Sequence, residues 1–270
     1  MTGVQAARCF FGILRRECLR ILHQRERLLA AFVRPLLWLF VFAAGIRALP
    51  GNDSLTLANG SVVAYDSYIL PGLMVMVVLF NGMQNSLSMV YDREMGSMRV
   101  LLISPFPRWY VLMSKMLVGT TISVAQVAVF LAIAAAAGIE MTFAGAGAAL
   151  VALVPCGLML GALGMLVSSA LKQIENFAGI MNFLIFPMIF LSTALYPLDR
   201  MRTAGEVLFV AGNLNPFTHA VEFVRSALQC HAPDFHAAIV LVVGSVFVVF
   251  AVWAYDPSRG ILGRRPSSGA

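Results

Sequence analysis

The residues in this sequence whose types and spacing could do chemistry fall into three clusters. Asp92, Arg93 and Glu94 form a dense charged turn, followed closely by Gly96 and Arg99. Asn81, Gln84, Asn85 and Ser88 stand at i, i+3, i+4 and i+7, which places four polar side chains on one helical face. His231, Asp234 and His236 could in principle hold a metal, but no fourth ligand lies nearby in the sequence, and no metal is expected. The four cysteines, Cys9, Cys18, Cys156 and Cys230, contain no CxxC pair and read as packing residues.

None of these clusters is a catalytic constellation. The sequence has no G-x-S-x-G, no H-E-x-x-H and no paired intramembrane carboxylates, because every Asp and Glu falls at or beyond the end of an apolar stretch. Lys115 and Lys172 follow Ser114 and Leu171, so no G-x-x-x-x-G-K-[ST] loop exists to cradle a nucleotide. The expectation is a chain that is not an enzyme and binds no cofactor itself. A proton- or sodium-coupled carrier would normally place ionisable groups inside its spans or show internal repeats, and neither is seen. A secondary transporter, a channel or a membrane-embedded enzyme is therefore the weaker alternative.

The elements that position these clusters are membrane spans. Of 270 residues, 60% are hydrophobic and 12% charged, against about 25% charged in ordinary soluble domains. Six apolar stretches are each long enough to cross a bilayer: Ala30 to Leu49, Tyr68 to Val90, Met113 to Gly138, Phe143 to Ala170, Phe177 to Tyr196 and His236 to Tyr255. The first is too long for a signal-peptide core and lacks an A-x-A-like cleavage site, so it reads as a retained span. Before it, Ala7, Phe10, Phe11, Leu14, Cys18, Ile21 and Leu22 recur at helical spacing between arginines, the pattern of a basic amphipathic helix on the membrane surface. The fold class expected is all-α and integral to the membrane. Its parts are an interfacial helix over 1–29, a six-span domain over 30–255 and a short polar tail over 256–270.

The formal net charge of +6 reports topology rather than nucleic-acid binding, since Lys and Arg flank apolar runs. Fifteen of the nineteen basic residues fall on the N-terminal side of the alternating spans, and only Arg47, Arg200, Arg202 and Arg225 fall on the other. Both termini, and the Asp92 segment, are accordingly expected in the cytoplasm. Met98, Leu101 and Leu102 give that segment an apolar helical face, and Pro105 with Pro107 stops it. A short rigid helix carried between two spans could transmit a push from a cytoplasmic partner.

Inside the spans, the Asn81 face reads as interhelical hydrogen-bond glue or as the lining of a path, with Gln126 and Asn182 as candidate partners. Gly157, Gly161, Gly164 and Ser168 form a small-residue stripe that allows close helix approach. Beyond the fifth span, Asn215 can cap a helix whose first residue is Pro216. Phe217, Ala220, Val221, Val224 and Leu228 make its apolar face, with Thr218, Glu222, Arg225 and Gln229 opposite. With the apolar run from Ala204 to Ala211, this predicts a helical hairpin dipping into the outer leaflet before the last span.

The run Tyr91-Asp92-Arg93-Glu94-Met95-Gly96-Ser97-Met98-Arg99-Val100-Leu101-Leu102-Ile103-Ser104-Pro105 resembles the R-E-x-G-(T/S)-x-(E/R)-x-L-L-x-(S/T)-P signature of the ABC-2 family of exporter permeases. The segment from Asn215 to Arg225 is similar to that family's N-P-(L/F)-T-x-x-(V/I)-x-x-x-R element. The resemblance implies a dimer or pair of permease subunits in the bacterial inner membrane, docked on two cytoplasmic ATPase subunits that hold the ATP and Mg. It also implies that the Asp92 to Ser104 segment touches the ATPase, and that the N-terminal helix accompanies it. The coupling loop and the Lys172 to Pro187 run look most like permeases associated with bacterial alcohol oxidation, which implies a small organic cargo such as an alcohol or its metabolite. Hydrophobic drugs and lipid-linked saccharides fit the spans equally well.

Overall fold

The computed structural model describes residues 3–23, 32–48, 54–56, 62–94, 107–170 and 175–254. In chain order the helices are α1 (Gly3–His23), α2 (Phe32–Ile46, with a π-helical turn at Trp38–Phe42), α3 (Tyr65–Glu94), α4 (Arg108–Ala136) and α5 (Phe143–Ala170). There follow α6 (Glu175–Phe190), α7 (Leu198–Ala204), α8 (Glu206–Leu214), α9 (Pro216–Leu228) and α10 (Phe235–Ala254). The tail over 256–270 and the residues Gly96 and Arg99 lie outside the described residues.

Among the described residues, four helical segments are long and apolar enough to cross a bilayer: Tyr65–Leu87, Trp109–Ala136, Phe143–Ser169 and Phe235–Ala254. Two of the six expected spans are shorter as apolar helices among the described residues, Phe32–Ile46 and Gly179–Phe190. The fifth was expected to continue to Tyr196, but α6 stops at Phe190 and the chain runs on irregularly through Leu191–Tyr196. Between α2 and α3 a small antiparallel ribbon, unforeseen in the hydropathy pattern, pairs β1 (Ser54–Thr56) with β2 (Val62–Ala64), in the register Leu55 opposite Val63. Thr56, Val62 and Val63 are β-branched and suit a pleated pair.

α3 is the central helix. From Tyr68 through Leu79 every side chain is buried, so lipid reaches almost none of its N-terminal half. It packs on α5, α4 and α9, while α5 also meets α10 and α9. The α3–α5 crossing is made by glycines, as the small-residue stripe predicts. A methyl group on Gly82 would meet Gly161 Cα at 3.2 Å, and one on Gly164 would meet the Gly82 carbonyl oxygen at 3.2 Å. Backbones this close gain dispersion that bulkier side chains would prevent. The outer surface is apolar: Val151, Phe183, Val242 and Val249 are well exposed, as lipid-facing residues should be.

α1 packs on α4, but its faces differ from the expected pattern. Phe11 is 64% exposed, whereas Glu17 is buried and pairs with Arg16 at 3.4 Å.

Candidate functional site

Where α6 ends, its last backbone carbonyls have no intrahelical partners and must find donors elsewhere. Asn215 supplies two, its Nδ2 donating to the carbonyls of Met188 and Leu191, each at 2.7 Å. Ser192 Oγ donates to Ile189 O at 2.6 Å and accepts from Ala194 N at 3.2 Å. The next carbonyl in the irregular segment, Thr193 O, accepts from Arg225 at 2.8 Å and from the Tyr68 hydroxyl at 3.1 Å. Leu195 O accepts from the Tyr65 hydroxyl at 3.3 Å. α6 is therefore cut short by competition, with side-chain donors satisfying carbonyls that a further helical turn would otherwise have used.

The donors come from α9 and its N-cap and from the start of α3, so this segment ties three parts of the chain together. Asn215 serves both neighbours at once. Its Oδ1 accepts from Phe217 N at 3.0 Å as the N-cap of α9, with Pro216 in the first helical position as the sequence predicts. α9 also buries its expected apolar face, since Phe217, Ala220, Val221 and Val224 are fully enclosed. Its opposite face departs from expectation. Thr218 is buried, and Arg225 is paired with Glu222, lies with its guanidinium carbon 4.2 Å from the Tyr68 ring centroid and donates to Tyr68 O at 3.3 Å. What looks like a solvent face in the sequence is a polar contact into the bundle. α9 packs on α5, α10 and α3.

Beside this clasp, His219 and His236 join α9 to the start of α10. Their Nδ1 atoms are 2.9 Å apart, and His219 Nε2 lies 2.9 Å from Asn213 O. A carbonyl can only accept, so Nε2 of neutral His219 carries the proton and its Nδ1 accepts from His236. Burial, then the neighbouring His236, push the His219 pKa down, while the Asn213 carbonyl and Glu222 oppose the shift. Asp234 Oδ1 accepts from His236 N at 3.1 Å and so caps α10. His231, Asp234 and His236 thus do not converge, and no group of three metal-ligating side chains occurs among the described residues.

The polar face of α3 is drawn into interhelical bonds. Asn81 donates to Gln126 on α4, and Asn85 Nδ2 donates to Lys115 O at 3.2 Å. The latter needs a glycine opposite, because a Cβ on Gly119 would sit 2.5 Å from Asn85 Nδ2. Gln84 faces a small recess with Arg34, Phe80 and Asn81, where the Arg34 guanidinium lies 3.7 Å from the Phe80 ring centroid. Asn182, the other candidate partner, is exposed on α6 and joins none of these contacts, because α6 turns that residue outward. The side chain of Ser88 lies outside those described.

At the far end of α3 the helix runs on through Asp92, Arg93 and Glu94, so the backbone of this charged turn is helical and continuous with the span. Sequence reasoning missed Tyr65, Tyr68, Thr193 and His219. Ser192 and Thr193 beside the predicted end of an apolar run were the available signal, since a polar pair there invites non-helical hydrogen bonding.

The profile of the ABC-2 type transporter family matches residues 8–228. The chain is 26% identical over 217 residues to a protein named transport permease ycf38 from Cyanophora paradoxa, covering 80% of this chain and 72% of that one. A protein of the same name from Porphyra purpurea is 26% identical over 223 residues, covering 79% and 72%. A multidrug ABC transporter permease named YbhR, from Escherichia coli strain K12, is 31% identical over 181 residues, covering 65% of this chain and 48% of its own length.

Proposed function

This chain belongs to the ABC-2 type transporter family and is a multi-pass transport permease, and from that premise we propose that it is the membrane subunit of an ATP-driven exporter. Two such subunits pair with two cytoplasmic ATPases in the bacterial inner membrane. The ATPases hold the ATP and Mg, and this chain holds neither and catalyses nothing itself. Both termini and the Asp92 to Ser104 segment face the cytoplasm, and the α7–α9 region faces outward.

The observation that carries this reading is the continuity of α3. Its 30 residues run without a break from Tyr65 to Glu94, a reach of about 45 Å at 1.5 Å per residue. One end is the charged turn formed by Asp92, Arg93 and Glu94; the other holds Tyr65 and Tyr68, whose hydroxyls clasp the irregular segment that Asn215 and Arg225 also bind. A displacement imposed on the turn has a continuous helical route, buried from Tyr68 to Leu79, to the Tyr65 end. Gly96 and Arg99 extend the proposed contact with the ATPase, and the Asn81–Gln126 bond holds α3 to α4 along the way.

For cargo, the surfaces on offer are apolar with amide and aromatic edges, which suits small hydrophobic organic molecules. Candidates include an alcohol or its oxidised metabolite, or a multidrug-type compound such as the name of the YbhR protein refers to. The test is reconstitution of the permease with its ATPase in vesicles. Glu94→Ala and Gly96→Val should each abolish transport while the partner continues to hydrolyse ATP and the permease keeps its thermal stability. Undiminished transport by both variants would overturn the coupling assignment.

A further inference from the structure

At the hairpin end of the bundle a cavity of about 450 Å³ lies between α2, β1, the start of α3, the end of α6 and the α7–α8 pair. Its size falls within the roughly 300–1,000 Å³ of small-molecule sites. Phe42, Ile46 and Leu55 line one side, and Phe190, Leu195 and Leu208 are among the residues on the other. Polar groups are few. The Tyr65 hydroxyl is committed to Leu195 O, which leaves the Tyr196 phenol and the Arg200 guanidinium.

Arg200 is the informative residue. Basic residues are scarce on this side of the chain, and only Arg47, Arg200, Arg202 and Arg225 fall there. Arg225 is engaged with Glu222 and Thr193 O, and the Arg202 guanidinium carbon sits 5.4 Å from the Phe209 ring centroid. The side chain of Arg47 lies outside those described. Arg200 is exposed at the edge of an apolar cavity, and no carboxylate pairs with it among the described residues. A cation above an apolar chamber is the complement of an anionic head on an alkyl chain.

We propose that this cavity binds an anionic amphiphile, its chain among Phe42, Leu55, Phe190 and Leu195 and its carboxylate or phosphate on Arg200. Two sources share that chemistry: a carboxylate cargo, such as the oxidation product of an alcohol, and an anionic lipid of the surrounding leaflet. Binding at this site requires no ATPase, so the proposal stands or falls separately from the coupling assignment.

Trp38 offers a direct readout, since its ring lies 4.6 Å from that of Phe42 and 6.2 Å from that of Phe190 by centroid, and both phenylalanines line the cavity. The chain has three tryptophans, so Trp109→Phe with Trp253→Phe leaves Trp38 as the single fluorophore. The full-length protein in detergent would be titrated with ω-brominated undecanoic acid and with the matching brominated alcohol, because bromine quenches tryptophan only at close range. The acid should quench saturably and bind more tightly than the alcohol. Arg200→Gln, at an exposed position that tolerates change, should weaken the acid about tenfold and leave the alcohol unaffected. Ala204→Phe, which fills the chamber from its exposed edge, should abolish saturable quenching by both. Nanodiscs containing brominated phosphatidylglycerol or brominated phosphatidylcholine then separate the sources. Arg200-dependent quenching by the former alone identifies a lipid, and its absence beside binding of the free acid identifies cargo. Linear quenching that survives Ala204→Phe, or equal affinity of the unmodified site for acid and alcohol, would overturn the proposal.

Discussion

Nδ1 of His219 and Nδ1 of His236 lie 2.9 Å apart, a separation at which only one of the two atoms can carry a proton. With His219 Nε2 donating to Asn213 O, protonation of His219 would add a hydrogen at Nδ1, directly against the donor on His236. The folded-state pKa of His219 is accordingly held below its ordinary value of 6.5 by burial first and by His236 second.

The sign of the pH dependence follows. A histidine whose pKa is depressed on folding binds fewer protons than the unfolded chain, so stability rises with pH across the interval between the two values. The contribution is complete above about 6.5 and is lost as the pH falls below it toward the folded value. Thermal unfolding in detergent should show a melting temperature that declines on acidification through this range. His219→Gln should flatten the decline, and an unchanged profile in that variant would refute the assignment.

Asn215 tests the double cap. Asn215→Ala loses the N-cap of α9 and two donors to the end of α6, at about 1 kcal/mol each, or about 3 kcal/mol in all. Asn215→Asp discriminates between roles. It is an excellent N-cap, but it would set a carboxylate against the carbonyls of Met188 and Leu191 instead of an amide donor. If capping of α9 alone mattered, the Asp variant would be as stable as the parent. The double role predicts that it melts no higher than the Ala variant.

Arg225 should be costly to remove for a similar reason. Its loss strands Glu222 and withdraws donors from Thr193 O and Tyr68 O, at about 3 kcal/mol. Arg225→Met keeps the stem, so the cost should appear chiefly as exposure of the Leu191–Tyr196 segment. Limited proteolysis, or hydrogen exchange confined to that segment, would register it, and global unfolding with no local stage would argue against a clasp.

The sequence carried the periodic information well. The apolar runs place the long helices, the Asn215-Pro216 pair marks the start of α9, and the small-residue stripe of α5 allows close approach, Gly161 and Gly164 to α3 and Gly157 to Thr120 of α4. Non-local competition was not legible. Phe177 to Tyr196 is apolar enough to be read as one span, and the reason it stops at Phe190 is held by Asn215, more than twenty positions away in the chain. Arg225 misled for the same cause: a helical face shows that a residue is polar but not whether water or a carbonyl receives it. Asn182 shares its residue type with Asn81, yet the rotation of α6 sends it outward while Gln126 takes the bond. Asp92, Arg93 and Glu94 continue α3 as helix, and their proposed coupling role rests on the signature alone.

The glycine crossing of α3 and α5 has a mechanical consequence. Gly82 touches Gly161 backbone to backbone, with no side chain between them to slide or compress. An alanine at Gly82 would therefore press its methyl group on backbone rather than on a movable side chain, and could be accommodated only by moving α3 and α5 apart as whole helices.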